Sequence, residues 1–448
     1  MTKKIAPKVE YEKYTLPNGL QVILHIDRKL PIVHINHWFH VGSKVEQPGR
    51  TGFAHLFEHL MFEGSKHAPG GYFKYIEQAG GNLREGGVNG TTSYDRTNYF
   101  STVPSGNLKH VLWLESDRIA TLPDALTSEN FENQREVVRN ERRQTMENQP
   151  YGRWLSLINE HLYPAGHPYV WPIIGSHEDL EAATIEEVTD FFKMYYTPNN
   201  LSLVVAGDFD IDHARAEIER FYGELPAGPL LDRRTRWIPD LSEEKIVEVA
   251  DRVPQARAHL IWPAPARFEN DESKLDIAAV VLGDGLSSRL KKNLVYERQM
   301  CTDVHTFNIA NEITGMFAVV ATIRPNSSLT EVETVIKDEI EQLAANGPSQ
   351  DEMERTKTTR EYQYVSGLER IGGFGGKADR LNESNTYTGD PGFFHVEYDR
   401  FEHITTEDVQ KAAEHWLTTR QGLMLRYYPE APQSVQTPTL DRSQIPAL

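Results

Sequence analysis

The segment His55-Leu-Phe-Glu-His59 holds the side chains of this chain that are best placed for chemistry. Residues four apart on a helix lie on one face, so the imidazoles of His55 and His59 can point at the same position. Two converging imidazoles suit Zn²⁺, which in catalytic sites takes three protein ligands and leaves a fourth position open. Glu58, one residue before the second histidine, can reach a water at that open position rather than the metal itself. The motif therefore suggests a zinc site with a carboxylate beside it.

The helix that must carry these side chains is predicted from Thr51 to Phe62, with Gly64 as its end signal. Its apolar residues recur at helical spacing and are Phe53, Leu56, Phe57, Leu60 and Met61. The alternative is a surface helix on which the histidines and Glu58 only pair with each other. The apolar flanks argue against it, because they would bury the helix, and buried imidazoles and a carboxylate need a shared partner such as a cation.

A third metal ligand has to come from another part of the chain. Cys301 is the only cysteine, so no disulfide within the chain is possible, and a metal site must use histidine and carboxylate. Cys301 itself is predicted to be a small buried residue rather than a nucleophile. The heavily charged helical pattern at 127–147 offers several candidate carboxylates. They are Glu129, Glu132, Glu136, Glu141 and Glu147.

The composition of the 448-residue chain limits the classes of function. No apolar run approaches the ~20 residues of a membrane-spanning helix, so no membrane span is expected. The formal net charge of −18 argues against nucleic-acid binding, which needs clustered Lys and Arg. Such a charge would attract basic peptides, and the alternative is that it only keeps the surface solvated. Residues 1–8 are basic, but no apolar stretch of signal-peptide length follows them. A soluble protein is expected, cytoplasmic, or periplasmic if a leader was removed.

Two domains are predicted, 1–230 and 231–448, because the turn-rich connector Leu225–Arg234 interrupts the pattern. In each half, strand patterns precede helix patterns, and the second half repeats the order of the first in weaker form. This predicts an α+β fold of two homologous domains, each a mainly antiparallel sheet with helices packed on one face. Residues 91–103, rich in Thr, Tyr and Phe, are predicted to be one strand with a polar first half.

Several segments together resemble the pitrilysin/insulinase family of zinc metallopeptidases, the inverzincins, whose signature is H-x-x-E-H with a distal Glu. The resemblance spans nearly the whole chain and is to the two-domain bacterial, processing-peptidase-like branch of the family. The segments that carry it are His55–Ser65, Asn89–Tyr99, Gln134–Glu141, Tyr195–Asn200, Val204–Asp208 and Leu282–Leu290.

The resemblance implies one zinc per chain, held by His55, His59 and Glu141. Glu141 ends the helical V-x-x-x-E segment in which the family carries its distal ligand. Glu58 is implied to take a proton from the attacking water and to deliver it to the leaving amine. Gln134 stands where the family commonly has a second Glu, so support of the ligands from a neighbouring carboxylate is expected to be weaker here.

The resemblance also implies residues that bind substrate. Arg380 and Tyr387 match the family's Arg-x6-Tyr pair and would hold the developing oxyanion, from the opposite domain or from another subunit. An extended peptide would add to an edge strand. The residues that open this strand are Asn89, Gly90, Thr91 and Thr92.

The implied function is a zinc-dependent endopeptidase that hydrolyses extended or unfolded peptide segments inside a dimeric chamber. The chain would be half of a clamshell, paired as a homodimer or as a heterodimer with a related subunit. The alternative is a non-catalytic family member that keeps the fold for assembly or substrate binding. The complete set of His55, Glu58, His59 and Glu141 favours the enzyme, because non-catalytic relatives tend to lose these residues.

Two further patterns are predicted to carry no site. His34, His37 and His40 are three residues apart in one predicted strand, which puts neighbours on opposite faces. Residues 372–377, Gly-Gly-Phe-Gly-Gly-Lys, fail the spacing of a phosphate-binding loop and predict a flexible loop.

Overall fold

The computed structural model describes residues 8–83, 87–233 and 235–430. Within these ranges the chain forms two β-sheets, of six and five strands, and fourteen α-helices. No helix in these ranges is long and apolar enough to cross a bilayer. The basic N-terminal segment, apart from Lys8, and the end of the predicted second domain, 431–448, lie outside the described residues.

The first sheet contains the strand on which the predicted peptide-binding residues 89–92 lie. Its strands are β1 (Glu12–Thr15), β2 (Gln21–Ile26), β3 (Ile32–Phe39), β4 (Val88–Thr92), β5 (Thr97–Pro104) and β6 (Leu201–Gly207). Their spatial order is β1-β2-β6-β3-β5-β4, so β4 lies at one edge of this sheet. β2 and β6 pair in parallel, and the other neighbours are antiparallel.

The second sheet repeats the path of the first. Its strands are β7 (Lys245–Asp251), β8 (Arg257–Ala264), β9 (Cys301–Ala310), β10 (Gly315–Ile323) and β11 (Leu423–Pro429). Their order β7-β11-β8-β10-β9 matches β2-β6-β3-β5-β4, including the parallel pair, here β7 with β11. The prediction of an α+β fold with two mainly antiparallel sheets is confirmed.

Among the described residues, eight helices belong to the first half and six to the second. The first eight are α1 (Phe53–Leu60), α2 (Tyr72–Gln78), α3 (Leu108–Ala125), α4 (Ser128–Arg142), α5 (Trp154–Leu162), α6 (His177–Ala182), α7 (Ile185–Tyr195) and α8 (Ile211–Tyr222). The last six are α9 (Glu272–Leu282), α10 (Leu329–Asn346), α11 (Gln350–Gly367), α12 (Lys377–Thr388), α13 (Phe393–His403) and α14 (Thr406–Ala413).

One face of each sheet is covered by helices of its own half. In the first half, α1, α3, α7 and α8 pack on alternate strand residues such as Ile35 and Val205 to form one apolar core. In the second half, α9, α10 and α14 pack on residues such as Leu260 and Val319. Burial of these alternating residues sets which face of each strand turns inward.

The other face of each sheet is covered by helices of the opposite half. α12 and α13 pack on the first sheet, where Leu381 joins Val204 in a separate apolar cluster. α5 of the first half packs on the second sheet, where Ile158 joins Ile261. Each half therefore supplies one layer of the other half's core.

Residues 91–103 differ from the single strand that was predicted. A turn at Ser93–Arg96 divides them between β4 and β5, which pair as a hairpin. The hydroxyl of Ser93 accepts from the backbone amides of Asp95 (3.2 Å) and Arg96 (3.1 Å). Local bonds of this kind favour a turn over continued extension, and the turn is what leaves β4 at the edge of the sheet.

Candidate active site

The helix α1 begins at a closely packed N-terminus. Gly52 precedes it with φ of +89°, and a Cβ there would lie 2.7 Å from the carbonyl oxygen of Ile174. The carboxyl oxygens of the buried Glu46 accept from the amides of Gly52 and Ala54, both at 2.8 Å. Burial raises the pKa of Glu46 to about 8, although these hydrogen bonds oppose the shift. Glu46 thus satisfies amides that the helix itself leaves unpaired.

The apolar face of α1 is fully buried, and this orients the predicted ligands. Leu56, Phe57 and Leu60 are each at most 1% exposed, so the opposite face presents His55, Glu58 and His59 outward. α4 packs against α1 and is anchored by its buried residues, Phe131 and Val138. Val138 lies three residues before Glu141, so burial of the first holds the second on the side facing α1.

The three predicted metal ligands converge. Glu141 Oε1 lies 3.8 Å from His55 Nε2, and Glu141 Oε2 lies 3.4 Å from His59 Nε2. One donor atom from each residue lies within 4.8 Å of the others, and no other set of three such residues in the described ranges meets this spacing. Ligands about 2.0–2.1 Å from a tetrahedral zinc are roughly 3.3 Å apart, so these side chains fit that ion after small adjustments.

The ionisation of the three residues also suits a cation. Burial and the neighbouring His59 lower the pKa of His55 to about 4, so it is neutral and available as a ligand. Burial lowers the pKa of His59, but the hydrogen bond to Glu141 and the charges of Glu58 and Glu141 outweigh burial and raise it. The hydrogen bond with His59 lowers the pKa of Glu141. A positive charge is therefore favoured at the point where the three side chains meet.

Glu58 faces the same point and is held by the edge strand. Its Oε2 accepts a hydrogen bond of 2.7 Å from the hydroxyl of Thr92, the last residue of β4. Burial raises the pKa of Glu58, while donation from Thr92 and the charge of His59 oppose the shift. A raised carboxyl pKa is suited to a group that accepts and returns a proton near neutral pH.

The other residues predicted to bind substrate shape the edge strand. Asn89 is exposed, whereas Gly90 is buried, and a Cβ on Gly90 would lie 3.1 Å from the rings of Phe62 and Tyr99. The carbonyl of Thr91 accepts from the Arg96 guanidinium at 2.9 Å. The strand can therefore lie against α1 and its ligands because residue 90 has no side chain.

Gln134 lies beside the ligands and contacts two side chains, one on α1 and one just after its C-terminus. It is hydrogen-bonded to His59 and donates through Nε2 to the carboxylate of Glu63. A carboxylate is thus still linked to His59, with the amide of Gln134 between them. This chain of contacts can orient the His59 imidazole.

Arg380 and Tyr387 are not brought to the ligands within this chain. Both lie on α12, which packs on the face of the first sheet opposite α1. The Arg380 guanidinium donates to the carbonyl of Gly375 at 3.0 Å, and the Tyr387 ring lies 5.6 Å from the His40 ring and 6.2 Å from that of Trp38. The sheet therefore separates this pair from the ligands.

Three contacts were missing from the sequence interpretation: Glu46 at the start of α1, Thr92 as the partner of Glu58, and Arg96 on the edge strand. Thr92 was predicted only to bind peptide. Its spacing of 34 residues from Glu58 is set by how the hairpin returns to α1, and no local pattern indicates it. The Ser93–Arg96 turn signal could have identified the hairpin and with it Arg96.

The patterns predicted to carry no site behave differently from the ligands. His34, His37 and His40 contact separate partners, and His37 faces the opposite side of β3 from the other two. Those partners are Thr102 at 2.8 Å, Tyr222 at 2.9 Å and Glu312 at 2.6 Å. Cys301 is buried, and burial raises the pKa of its thiol to about 12, as expected for an unreactive residue. In the glycine-rich segment, Lys377 pairs with Asp27.

Two family models match successive parts of the chain. The model described as "Insulinase (Peptidase family M16)" matches residues 21–164, which contain all three converging ligands and Glu58. The model described as "Peptidase M16 inactive domain" matches residues 182–360. The two matches thus divide the chain into a part with the ligands and a part without them.

Proteins named as zinc proteases are similar along most of their length. Zinc protease PqqE of Helicobacter pylori is 29% identical over 368 residues, covering 80% of each chain. An uncharacterized zinc protease of Streptomyces coelicolor is 24% identical over 417 residues, covering 91% of this chain and 88% of that protein.

Solved structures share the fold. The crystal structure of a protease from Helicobacter pylori has a TM-score of 0.85 at 25% identity and covers 94% of this chain and 100% of that one. The first half of the periplasmic protease PqqL from Escherichia coli has a TM-score of 0.76 at 19% identity, and the match covers 95% of this chain and 93% of that one. In the full PqqL structure the match covers 48% of the PqqL chain. Both in sequence and in architecture, then, this chain belongs to peptidase family M16, the pitrilysin/insulinase family.

Proposed function

We propose that the protein is a zinc-dependent endopeptidase that cleaves extended peptides or unfolded segments. The observation that carries the proposal is the convergence of His55, His59 and Glu141, with Glu58 facing the same point from between the two histidines on α1. One zinc per chain would be held by these three ligands. The relatives named as zinc proteases support the choice of metal.

The residues of the site divide the work of hydrolysis. Zinc, when bound, supplies a Lewis acid that polarises the scissile carbonyl and makes water more acidic. Glu58 accepts the proton of the attacking water and returns it to the leaving amine. Thr92 holds the Glu58 carboxylate through its hydroxyl. The open edge of β4, from Asn89 to Thr92, offers backbone groups to an extended peptide, which fixes the scissile bond beside the ligands.

Arg380 and Tyr387 would act on a site in a second chain. The first sheet separates them from the ligands of their own chain. They therefore cannot contact an oxyanion that forms at those ligands. The chain matches the first half of PqqL, which supports the idea that a second half completes the enclosure. We therefore propose a dimer around a chamber, formed with an identical chain or with a related one. Measuring the size of the purified chain and assaying it without a partner distinguishes the homodimer from the heterodimer.

The alternative is a non-catalytic subunit for assembly or substrate binding. The match to the inactive-domain model favours it at first sight, but that match covers 182–360 and leaves the ligand-bearing segments outside. A non-catalytic subunit has no need to keep the Thr92–Glu58 hydrogen bond or the spacing of the three ligands.

Metal analysis and a single substitution test the proposal. About one zinc per chain is expected. Peptide cleavage should disappear in Glu58→Gln while the zinc is retained, because Glu58 is not a ligand. A chain that binds no zinc, or a Glu58→Gln variant with full activity, would refute the proposal. Comparing basic and acidic peptides in the same assay tests whether the net charge of −18 biases the substrate.

A further inference from the structure

A cavity of about 290 Å³ lies in the second half of the chain. It is bordered by the start of α9, the second half of α13, the start of α14 and the loop 268–270, and is here called the α9–α13 cavity. None of its lining residues borders the cavities beside the metal ligands. Whatever binds in it therefore binds outside the candidate active site.

Two carboxyl groups face the α9–α13 cavity with bonding capacity to spare. Glu272 is only 7% exposed, and its Oε2 accepts from the backbone amide of Phe268. Its other carboxyl oxygen has no hydrogen-bond partner among the described residues, and Glu397 makes neither a hydrogen bond nor an ion pair with any of them. Buried polar groups are normally paired, so two incompletely paired carboxyl groups that line one cavity indicate a ligand.

The charges beside the cavity do not balance. Four carboxyl groups and two guanidinium groups lie close enough to influence one another. The carboxyl groups are those of Glu272, Asp276, Glu383 and Glu397, and the guanidinium groups are those of Arg267 and Arg360. Burial and the neighbouring Glu397 raise the pKa of Glu272 to about 8. Burial also raises the pKa of Glu397, although Arg360 opposes the shift. A positive charge brought into the cavity would therefore be stabilised.

The basic side chains that line the cavity make their contacts elsewhere. Lys274 pairs with Asp271 at 2.8 Å, and Arg400 donates to the carbonyl of Phe268 at 3.4 Å. The imidazole of His403 bonds at 2.6 Å to a backbone carbonyl one turn earlier on α13. Within the described ranges, no cation of the protein itself forms an ion pair with either of the two carboxyl groups.

The rest of the cavity suits a short hydrocarbon chain. Ile404 and the Phe268 ring line it, and that ring meets Phe393 edge-on with centroids 5.1 Å apart. Phe268 has φ of +64°, which is uncommon for a bulky residue and directs its amide to Glu272. Since a cavity of about 150 Å³ already accepts benzene, the α9–α13 cavity has room for a butyl chain with a polar head.

We propose that the α9–α13 cavity binds a guanidinium or ammonium group carried on a short alkyl chain. A planar guanidinium can donate to Glu272 and Glu397 at once, and hydrogen bonds between two ionised groups are among the strongest. The alkyl chain would lie against Phe268 and Ile404. A free alkylamine or alkylguanidine and the side chain of a Lys or Arg in a peptide present this same chemistry. The inference goes beyond the proposed peptidase function and does not depend on it.

Calorimetric titration with a matched pair of compounds tests the site. The zinc-loaded full chain, in its native assembly and at physiological ionic strength, is titrated with n-butylguanidinium and with n-butylurea, which has nearly the same shape without the charge. The guanidinium should bind at least about tenfold more tightly, and n-butylammonium should also bind. Equal binding of the guanidinium and the urea, or no binding of the guanidinium at millimolar concentration, would overturn the site.

Two substitutions that preserve side-chain size locate the binding. Glu397→Gln and Glu272→Gln should each weaken butylguanidinium binding by at least about tenfold, and the Gln at position 272 still offers an oxygen to the Phe268 amide. Both variants should melt no lower than the parent, because each removes a carboxyl group that lacks a cationic partner. The matched control is Glu369→Gln at an exposed glutamate after α11, which should bind like the parent. Unchanged affinity in both cavity variants would overturn the site.

A third substitution separates this cavity from the candidate active site. Glu58→Gln changes the active site alone and should bind butylguanidinium as the parent does. Loss of binding in this variant would place the compound at the metal ligands and refute the α9–α13 site. An acetylated pentapeptide with a central Arg then identifies the source of the cation. Peptide binding that Glu397→Gln abolishes supports a basic side chain as the ligand, whereas binding of the free compound alone supports a small amine or guanidine.

Discussion

The hydroxyl of Thr92 donates to the carboxylate of Glu58 at 2.7 Å, and this bond joins the edge strand to the helix that carries the metal ligands. Substrate would pair with β4, whose last residue is Thr92, so the residue that meets the peptide backbone also orients the general base. The strand β4 would therefore both align the peptide and position the residue that transfers the proton.

Removing this hydroxyl is expected to slow catalysis without loss of metal. A hydrogen bond to a charged group contributes about 1.5–3 kcal/mol, so Thr92→Val should lower kcat by roughly tenfold to a hundredfold. Steady-state kinetics and zinc content measure the two effects separately. Thr92→Ser, which keeps the hydroxyl, should retain most of the activity; an inactive Ser variant alongside an active Val variant would contradict the role.

The carboxyl group of Glu46 is expected to stabilise the ligand helix α1. Glu46→Ala leaves the buried amides of Gly52 and Ala54 without their acceptor, at a cost of about 2 kcal/mol in the free energy of unfolding. Chemical denaturation of the metal-free chain measures this loss. The exposed Glu160, replaced by Ala, is the control and should change stability little. Equal stability of the two variants would contradict the capping role.

Gln134 is expected to affect zinc affinity more than fold. Its contact with His59 orients a ligand, and loss of such support typically lowers metal affinity by about tenfold or more. Competition with a chelator should show this weakening in Gln134→Leu. Gln134→Glu, which puts a carboxylate next to His59, should bind zinc at least as tightly as the parent. Unchanged affinity in the Leu variant would mean that Gln134 is dispensable.

Arg380 and Tyr387 are expected to act in trans if the protein is a homodimer. Glu58→Gln and Arg380→Ala chains should each be nearly inactive. When mixed and allowed to exchange, half of the dimers combine one of each, and each such dimer has one intact site. Recovery of about a quarter of the parent activity is therefore expected. A dimer that exchanges subunits but recovers nothing would contradict action in trans.

An ion pair between the two halves is expected to make stability depend on pH. Glu312, in the β9–β10 turn, pairs with the buried Lys44 of the first half and accepts from His40 at 2.6 Å. Burial alone would raise its pKa, but these contacts lower it to about 2. Burial lowers the pKa of His40, so His40 donates as a neutral imidazole and Lys44 supplies the charge.

The lowered pKa of Glu312 determines how the free energy of unfolding changes with pH. Its contribution is fully present above the ordinary carboxyl pKa of 4.5 and is lost as the pH falls toward 2. Glu312→Gln should reduce the free energy of unfolding at pH 7 by about 1–3 kcal/mol, and the gap to the parent should narrow as acid is added. Urea denaturation at several pH values measures it. A gap that stays constant across this range would refute the ion pair's contribution.

The site could be predicted from sequence where its geometry is local. His55 and His59 lie one helical turn apart, so their convergence follows from helix geometry alone. The charged segment 127–147 offered five glutamates as candidates for the third ligand, and the family resemblance selected Glu141. Burial of Val138 then explains why Glu141, among them, faces α1.

Other features depend on the tertiary fold and could not be read from local patterns. The Thr92–Glu58 bond depends on how the β4–β5 hairpin packs against α1, which the local turn signal at Ser93–Arg96 does not indicate. The Trp154–His259 stack joins strands and helices 105 residues apart in sequence, and it forms only when each half is laid on the other's sheet. The placement of α12 on the first sheet, away from the ligands, is of the same kind.

The exchange of helices between the two halves has a consequence for how the protein can be divided. A fragment ending near residue 230 would retain every metal ligand yet expose the face of the first sheet that holds Val204, because α12 would be gone. The complementary fragment would lose α5 and expose Ile261 in the same way. A fragment that folds is therefore expected to need both halves, and the first half by itself is expected to aggregate through its exposed sheet face.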